Sequence, residues 1–336
     1  MILQDKGNIK LIQKFLSNNW QKNHIISKEI KILNWLHYNK FEKKYNFVLE
    51  KKKNILGFLG IIKNSKFSKK LKKLDSIWLT TWVAKKEELG VGIKLLNHSI
   101  ENYDYCKIGT VGCNESVKNI YKYLGFITGN LTQYYIPNLK IKNYKLIKLQ
   151  KNFRKKNIDI SLPLSSTLNE VTRINFDKFK NFKKKYIKIF AKDEDYFINK
   201  YIKNPFYKYI VFEFKIKEKL IGYYFARESF NKNNKCLRIV DFFGNVNNIF
   251  DSSKLFKDII EMNNYEFVDI YFFGKKDNKS YFIENKYNKK TIIPNHFEPF
   301  IKKNIILNFA ILKKKNFKLY LFKGDCDQER PNIINY

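Results

Sequence analysis

Between Ser76 and Phe126 the chain lays out a strand, a glycine turn, a helix and a second helix, and this order constrains the fold more than any other feature. Ser76-Ile-Trp-Leu-Thr-Thr-Trp-Val-Ala84 is rich in β-branched and aromatic residues. Its alternation places Ile77, Leu79, Thr81 and Val83 on one face of a predicted strand and Trp78 and Trp82 on the other. In Glu87-Glu-Leu-Gly-Val-Gly92, two glycines one residue apart allow a tight turn and a close approach of backbone to ligand. Ile93 to Tyr103 then predicts a helix, with Ile93, Leu96, Ile100 and Tyr103 on an apolar stripe. The N–H groups of Glu88, Leu89, Gly90, Val91, Gly92 and Ile93 precede any intrahelical acceptor and form a cradle suited to an anion; an ordinary tight turn is the plainer reading. A second helix opens at Asn114, a good N-cap residue, carries Val117, Tyr121 and Leu124 on one face, and stops at Gly125.

These residues resemble the GNAT superfamily of acyl-CoA N-acyltransferases. That family combines a strand, a pyrophosphate loop of the form Arg/Gln-x-x-Gly-x-Gly/Ala, a helix, a further strand, an asparagine turn and a helix ending Tyr-x-x-x-Gly-Phe. Tyr121-Lys-Tyr-Leu-Gly-Phe126 supplies the last feature, and Asn54-Ile-Leu-Gly-Phe-Leu-Gly-Ile-Ile62 looks like the central hairpin strand. One departure stands out: Glu87 occupies the place where the family prefers Arg or Gln. A carboxylate beside a pyrophosphate is unfavourable, so either its side chain turns away or cofactor binding is weakened.

Composition narrows the alternatives. A chain of 336 residues can bury a large core and is long enough for two domains. The net charge of +35 is nearly all lysine, which is consistent with a solvated lysine surface. No arginine-rich helix, zinc spacing or RNA-binding aromatic signature points to nucleic acid, although the basic surface could rest on anionic lipid. Cys106, Cys113, Cys236 and Cys326 show no C-x-x-C spacing, and a chain of this size needs no staples; reduced thiols in a cytoplasm are expected. No apolar run approaches the length of a membrane span, and the start lacks a compact secretory apolar region.

The predicted class is α/β (α+β), with two domains at 1–142 and 143–336, each a mixed, mostly antiparallel sheet flanked by helices. Residues 1–40 read as helices. Tyr45–Leu49 and Ile55–Ile62 read as an antiparallel pair, and Leu131–Ile136 as a closing strand. In the second half, Leu168–Thr172 and the region to about Lys203 read as helix-rich. Strands follow at Tyr209–Phe214, Leu220–Ala226 and Leu237–Phe243, then a helix at Ser252–Met262 and a strand at Phe267–Phe273. This order echoes the first half, but Gly244–Asp251 contains no Gly-x-Gly. The second half therefore resembles a degenerate GNAT-like domain that has lost its cofactor loop.

The resemblance implies a cofactor, acetyl-CoA or another acyl-CoA, with its pyrophosphate on the Glu88–Ile93 amides and Asn114 nearby. A backbone N–H at Val83 or Ala84 would hold the thioester carbonyl. Tyr121 matches the tyrosine that protonates the departing thiolate, and a core tyrosine is its plain alternative. His24 is the first candidate for the base and Glu87 a distant second; His37 and His98 are taken as structural or exposed. Trp20-Gln-Lys-Asn-His24, Trp35-Leu-His-Tyr38, Pro294-Asn-His-Phe-Glu-Pro-Phe300 and the tail Lys323–Asn332 look like GNAT-like proteins encoded with bacterial surface-polysaccharide genes. On that basis Trp20, Trp35, His296, Asp325, Asp327 and Arg330 are acceptor-side candidates, and the acceptor is a nucleotide-linked amino sugar. The acidic tail residues do not supply a calcium loop, and no metal is expected. A Fem-type transferase using aminoacyl-tRNA and a non-catalytic scaffold remain open.

Overall fold

The computed structural model describes residues 1–6, 8–150, 165–178, 183–274, 280–314 and 318–332. The chain divides into two compact units. The first holds Met1–Thr128 together with residues 309–314 and 326–332; the second holds Gly129–Asn308 and residues 318–325, within the described residues. A single cut at 142/143 differs from this division: the first boundary falls after Thr128, and two late segments group with the first unit. The segment 151–164, beside that cut, lies outside the described residues.

In the first unit, β1 (Ile2–Gln4) is followed by α1 (Ile9–Asn19), α2 (Ile25–Lys28) and α3 (Ile30–His37). Residues 2–4 are thus a strand where helix was expected: they complete the sheet edge by pairing with Val48–Glu50, a partner that local sequence cannot reveal. Then come β2 (Phe47–Lys51), β3 (Ile55–Lys63), β4 (Ser76–Ala84), α4 (Val91–Asn102), β5 (Lys107–Cys113) and α5 (Glu115–Tyr123). The sheet runs β1-β2-β3-β4-β5 and continues with the strand Leu307–Lys313. Its pairings are antiparallel up to β4, and β4 and β5 are parallel. Gly109 permits the last neighbour to approach, since a Cβ there would lie 2.0 Å from Ala310 O.

One irregularity reorganises β4. Leu59 faces Trp82 and Ile61 faces Leu79, so Gly60 alone spans Thr80 and Thr81. This bulge shifts the alternation by one residue. Trp82 and Ala84 therefore pack on the same core as Ile77 and Leu79, not opposite them as uninterrupted alternation predicts. Trp78 stays on the other face, where its indole N–H donates to Asn64 Oδ1 (2.9 Å). The α4 stripe is rotated too: Val91, Leu95, Leu96 and Ser99 are buried and Ile93 is half-buried. Gly57 allows this, because a Cβ there would stand 2.6 Å from Val91 Cγ1.

The second unit contains β6 (Ile127–Pro137, from Gly129 on), β7 (Ser166–Glu170), α6 (Lys183–Phe190), β8 (Ile210–Ile216), β9 (Lys219–Asn231), β10 (Asn234–Gly244), α7 (Ser253–Met262) and β11 (Phe267–Phe273). Its sheet runs β7-β8-β9-β10-β11-β6, with β10 and β11 parallel and the other pairs antiparallel. The two units share one strand order. Residues 166–170 are a strand and not the expected helix, because five consecutive residues pair with β8 and this tertiary partner outweighs weak local preference. A buried ion cluster anchors the unit: Lys192 Nζ lies 2.8 Å from Asp241 Oδ2 and 3.0 Å from Asp325 Oδ1, and Tyr201 donates to Asp241 (2.7 Å).

Candidate active site in the first unit

The site begins where β4 and β5 part. They pair only over Ser76–Lys107, Ile77–Ile108 and Trp78–Gly109, and then diverge. The far edge of β4 stays on β3, with Lys85 N–H donating to Leu56 O (2.9 Å). In an antiparallel ladder hydrogen-bonded and non-bonded pairs alternate. The Phe58–Val83 pair therefore directs Val83 N–H toward β3, while Ala84 and Trp82 turn their peptide groups to the open edge. Of the two expected carbonyl donors, Ala84 is the one facing the gap.

The turn after β4 has the form the sequence implied. Gly90 adopts φ 80°, the left-handed region that favours glycine, and serves as N-cap of α4 without a side-chain bond. The first i→i−4 bond is Lys94 N–H to Gly90 O (3.0 Å), so the amides of Val91, Gly92 and Ile93 precede it. The Trp82 indole N–H donates to Gly92 O (3.1 Å) and ties turn to strand. Leu89 is 94% exposed at the tip and Glu88 is half-buried. The Glu87 side chain is 69% exposed and 3.8 Å from Lys85 Nζ, so its charge faces solvent and a lysine.

Asn114 caps α5 by accepting from Val117 N–H (2.8 Å), and Gly125 ends the helix at φ 80°. Tyr121 is buried between Trp82 (5.7 Å between ring centroids) and Phe126 (4.8 Å). Burial pushes its phenol well up, with the neighbouring thiols Cys113 and Cys326 adding to the shift. Burial likewise pushes the Cys113 thiol up to about 11.

The tail completes the gap. Cys326 Sγ contacts Leu79 O on β4 (3.5 Å), and Gln328 Nε2 donates to Val111 O on β5 (3.1 Å). Gly112, at φ 91°, makes room: a Cβ there would stand 2.1 Å from Gln328 Nε2. Arg330 binds Asp327 Oδ2 (2.6 Å) and directs Nη2 to His24 Nε2 (3.0 Å), and Trp20 lies against the His24 ring (4.1 Å between centroids). The structure thus joins Trp20, His24, Asp327 and Arg330. Trp35 packs on Phe67 (5.7 Å) and Lys66 (5.5 Å). Asp325 and His296 belong to the second unit, Asp325 in the Lys192 cluster and His296 in a short hairpin with Phe300–Ile301.

His24 does not keep a free lone pair. Nδ1 faces Ile26 N–H (3.3 Å) and Nε2 faces the Arg330 guanidinium, yet a neutral imidazole has one acceptor nitrogen. Burial and then Arg330 lower its pKa to about 4. His37 is the residue that sequence reasoning set aside. Its Nδ1 lies 3.0 Å from Ile61 O, and its buried Nε2 has no hydrogen-bond partner. Only the bulge could have singled it out, and that is invisible in sequence.

Burial lowers the His37 pKa to about 4, against its ordinary 6.5. A group depressed in the folded state stabilises above its unfolded pKa, and that stability is lost as pH falls through the folded value. Buried Asp75, pushed up to about 7 by burial, has the opposite sign: its contribution is present below the ordinary carboxylate range and lost as pH rises through 7. The comparison is therefore made within a pair. Relative to His37→Gln, the wild type should lose about 3 kcal/mol of unfolding free energy between pH 7 and pH 4. Urea titrations at the two pH values check this; parallel losses in both proteins would contradict it.

Among solved structures, the chain shares its fold with the GCN5-related N-acetyltransferase from Kribbella flavida, at 8% identity over 93% of this chain and 71% of that chain, with a TM-score of 0.53. It also matches the GCN5-related N-acetyltransferase from Anabaena variabilis, at 12% identity over 93% of this chain and 72% of that chain, with a TM-score of 0.50. No protein-family profile and no curated protein matches it. The fold is the GNAT fold, a mixed α/β sheet with flanking helices. No helix among the described residues is long and apolar enough to cross a membrane.

Proposed function

We propose that the first unit is an acyl-CoA-dependent N-acyltransferase, with acetyl-CoA the first candidate donor. The observation that carries this reading is the parting of β4 from β5 directly above an uncapped helix start at Gly90. When bound, the cofactor supplies an acyl thioester. The amides of Val91, Gly92 and Ile93 suit its diphosphate. Ala84 N–H is placed to donate to a carbonyl on the open edge, stabilising negative charge on its oxygen. Tyr121 holds the proton for the leaving thiol, and Asn114 lies at the start of the helix that carries it. The fit is supported by the outward position of Glu87.

The acceptor side is Trp20, His24, Trp35, Asp327 and Arg330. An amine-bearing sugar linked to a nucleotide, in surface glycan synthesis, suits an aromatic wall beside a guanidinium and a lysine-rich surface. The second unit reads as a tandem GNAT-like domain without a donor site. Its β10–β11 pairing also ends early, after Ile239–Ile270, but Leu321–Phe322 pairs with Phe272–Phe273 and Gly324 N–H reaches Val240 O (2.7 Å). Backbone thus bridges the place where β10 and β11 part, which supports the reading of a unit without a donor site. The charge of +35 keeps the Fem-type alternative in view, and that reading predicts tRNA affinity with a steep salt dependence and no need for CoA.

Calorimetry with acetyl-CoA is the test: one site of micromolar affinity is expected, and no heat would remove the proposal. Tyr121→Phe should lower turnover about a hundredfold while leaving acetyl-CoA affinity unchanged. Unchanged turnover would return Tyr121 to the core.

A further inference from the structure

We infer that the groove along the outer face of α4 takes the 3′-phosphoadenosine end of coenzyme A, with Lys94 on the phosphate and Asn97 on the base. The inference rests on the acyl-transfer reading above, and it gives the nucleotide of the donor a place in the first unit.

The groove is open to solvent and encloses about 520 Å³. Ile2 of β1 forms one wall, and one face of α4 forms the other, from Gly90 through Lys94 and Asn97 to Glu101. Eleven residues of helix give it a length of about 16 Å, room for a nucleoside and its phosphate. Gly90 and Ile93 belong both to this wall and to the helix start, so the groove opens beside the amides of Val91, Gly92 and Ile93.

Its direction suits the donor. α4 lies over β2 and β3, where Lys94 meets Glu50 and Val91 sits against Gly57, and the groove extends from the helix to β1 at the sheet edge. The parting of β4 from β5 is on the opposite side of the helix. Coenzyme A carries its thiol arm on one phosphorus of the diphosphate and 3′-phosphoadenosine on the other. With the thioester in the gap and the diphosphate at the helix start, the nucleotide continues away from the gap, toward β1.

The side chains follow in the order this requires. Lys94 Nζ is 2.7 Å from Glu50 Oε1, and the lysine side chain is 56% exposed where the glutamate is 4% exposed. The covered carboxylate holds the ammonium from below, and an ammonium has further N–H bonds for a phosphate arriving from solvent. One helical turn on, Asn97 is exposed, and its amide makes no hydrogen bond within the described residues. Such an amide pairs with N6 and N7 of adenine. Half-buried Ile2 and Ile93 offer the base an apolar surface. His98 is a wall and not a phosphate ligand, because its Nε2 faces Gln4 Oε1 (3.2 Å) and its Nδ1 faces Asn102 Nδ2 (3.3 Å). Glu101 repels a phosphate at the far end, which fixes the polarity: phosphate by Lys94, base toward Glu101.

The test is calorimetry on the full chain with coenzyme A, 3′-dephospho-coenzyme A and phosphopantetheine. Wild type should bind coenzyme A about fivefold more tightly than the dephospho form. Lys94→Gln, which can still hydrogen-bond Glu50, should bring the two affinities together. Asn97→Trp fills the groove from an exposed position; it should weaken coenzyme A about tenfold and leave phosphopantetheine, which has no nucleoside, unchanged. Equal affinity of wild type for coenzyme A and its dephospho form overturns the assignment. So does a Lys94→Gln protein that keeps the full preference, or a folded Asn97→Trp with wild-type affinity. Should Lys94→Gln fail to fold, the wild-type comparison and Asn97→Trp decide. Wild type that binds neither coenzyme A nor acetyl-CoA overturns the acyl-transfer reading itself, a result distinguishable from a protein that binds both without discriminating the 3′-phosphate.

Discussion

Lys192→Met should destabilise the second unit by about 3–5 kcal/mol, the usual result of removing one partner from a buried ion group. The ammonium lies between Asp241 and Asp325, all three fully buried, and Lys200 donates to Gly324 O (2.6 Å) and Tyr196 OH (2.8 Å) at the same place. Burial alone would lower the Lys192 pKa, but the two carboxylates overcome it and raise the value on balance. Methionine has a similar length and no charge, so the variant leaves two carboxylates facing each other without the ammonium between them, and Lys200 compensates Asp241 only in part. Urea unfolding followed by far-UV circular dichroism measures the loss, and hydrogen exchange at the β10 and β11 amides locates it. A change below 1 kcal/mol would mean that the carboxylates are protonated or hydrated in the native state. Asp325→Asn should be milder, because Lys192 keeps Asp241.

If the first unit transfers acyl groups as proposed, ending the chain after Asp325 should abolish most of that activity. Cys326 and Gln328 bridge the diverging strands β4 and β5, and Arg330 fixes the His24 ring beside Trp20. Loss of these contacts widens the gap and frees the acceptor-side groups, and misplacement of about 1 Å can cost a hundredfold in rate. A drop of that size in kcat/KM is expected, with acetyl-CoA affinity changed much less because the Gly90 turn is untouched. The opposite outcome is informative: faster thiol release on truncation would mark the tail as an obstruction in the cleft. Gln328→Ala separates the two cases, since it removes the bond to Val111 O and leaves the Arg330–Asp327 pair in place.

Much of the first unit was legible in the chain because its signals are local. Gly90 needs a left-handed backbone, Asn114 caps through its own side chain, and Gly125 stops a helix: each is decided within about four residues. The Gly-x-Gly turn, the helix after it and the buried Tyr121 follow from such short-range rules, and so does the absence of a comparable turn after β10. The grouping of His24 with Asp327 and Arg330 was suggested only by resemblance, since more than three hundred residues separate them.

Tertiary structure decided the rest. The bulge at Thr80–Thr81 turned Trp82 toward the core and left His37 and Thr80 facing one glycine, because register depends on the partner strand and a single extra residue reverses every later side chain. Residues 2–4 and 166–170 became strands because each found an edge to pair with, a partner 42 or more residues away in sequence. Asp325 and Asp327, two residues apart, joined different units for a related reason. Asp325 meets Lys192, more than a hundred residues earlier, which only the fold of the second unit brings within reach, whereas Asp327 meets Arg330 three residues further along the chain.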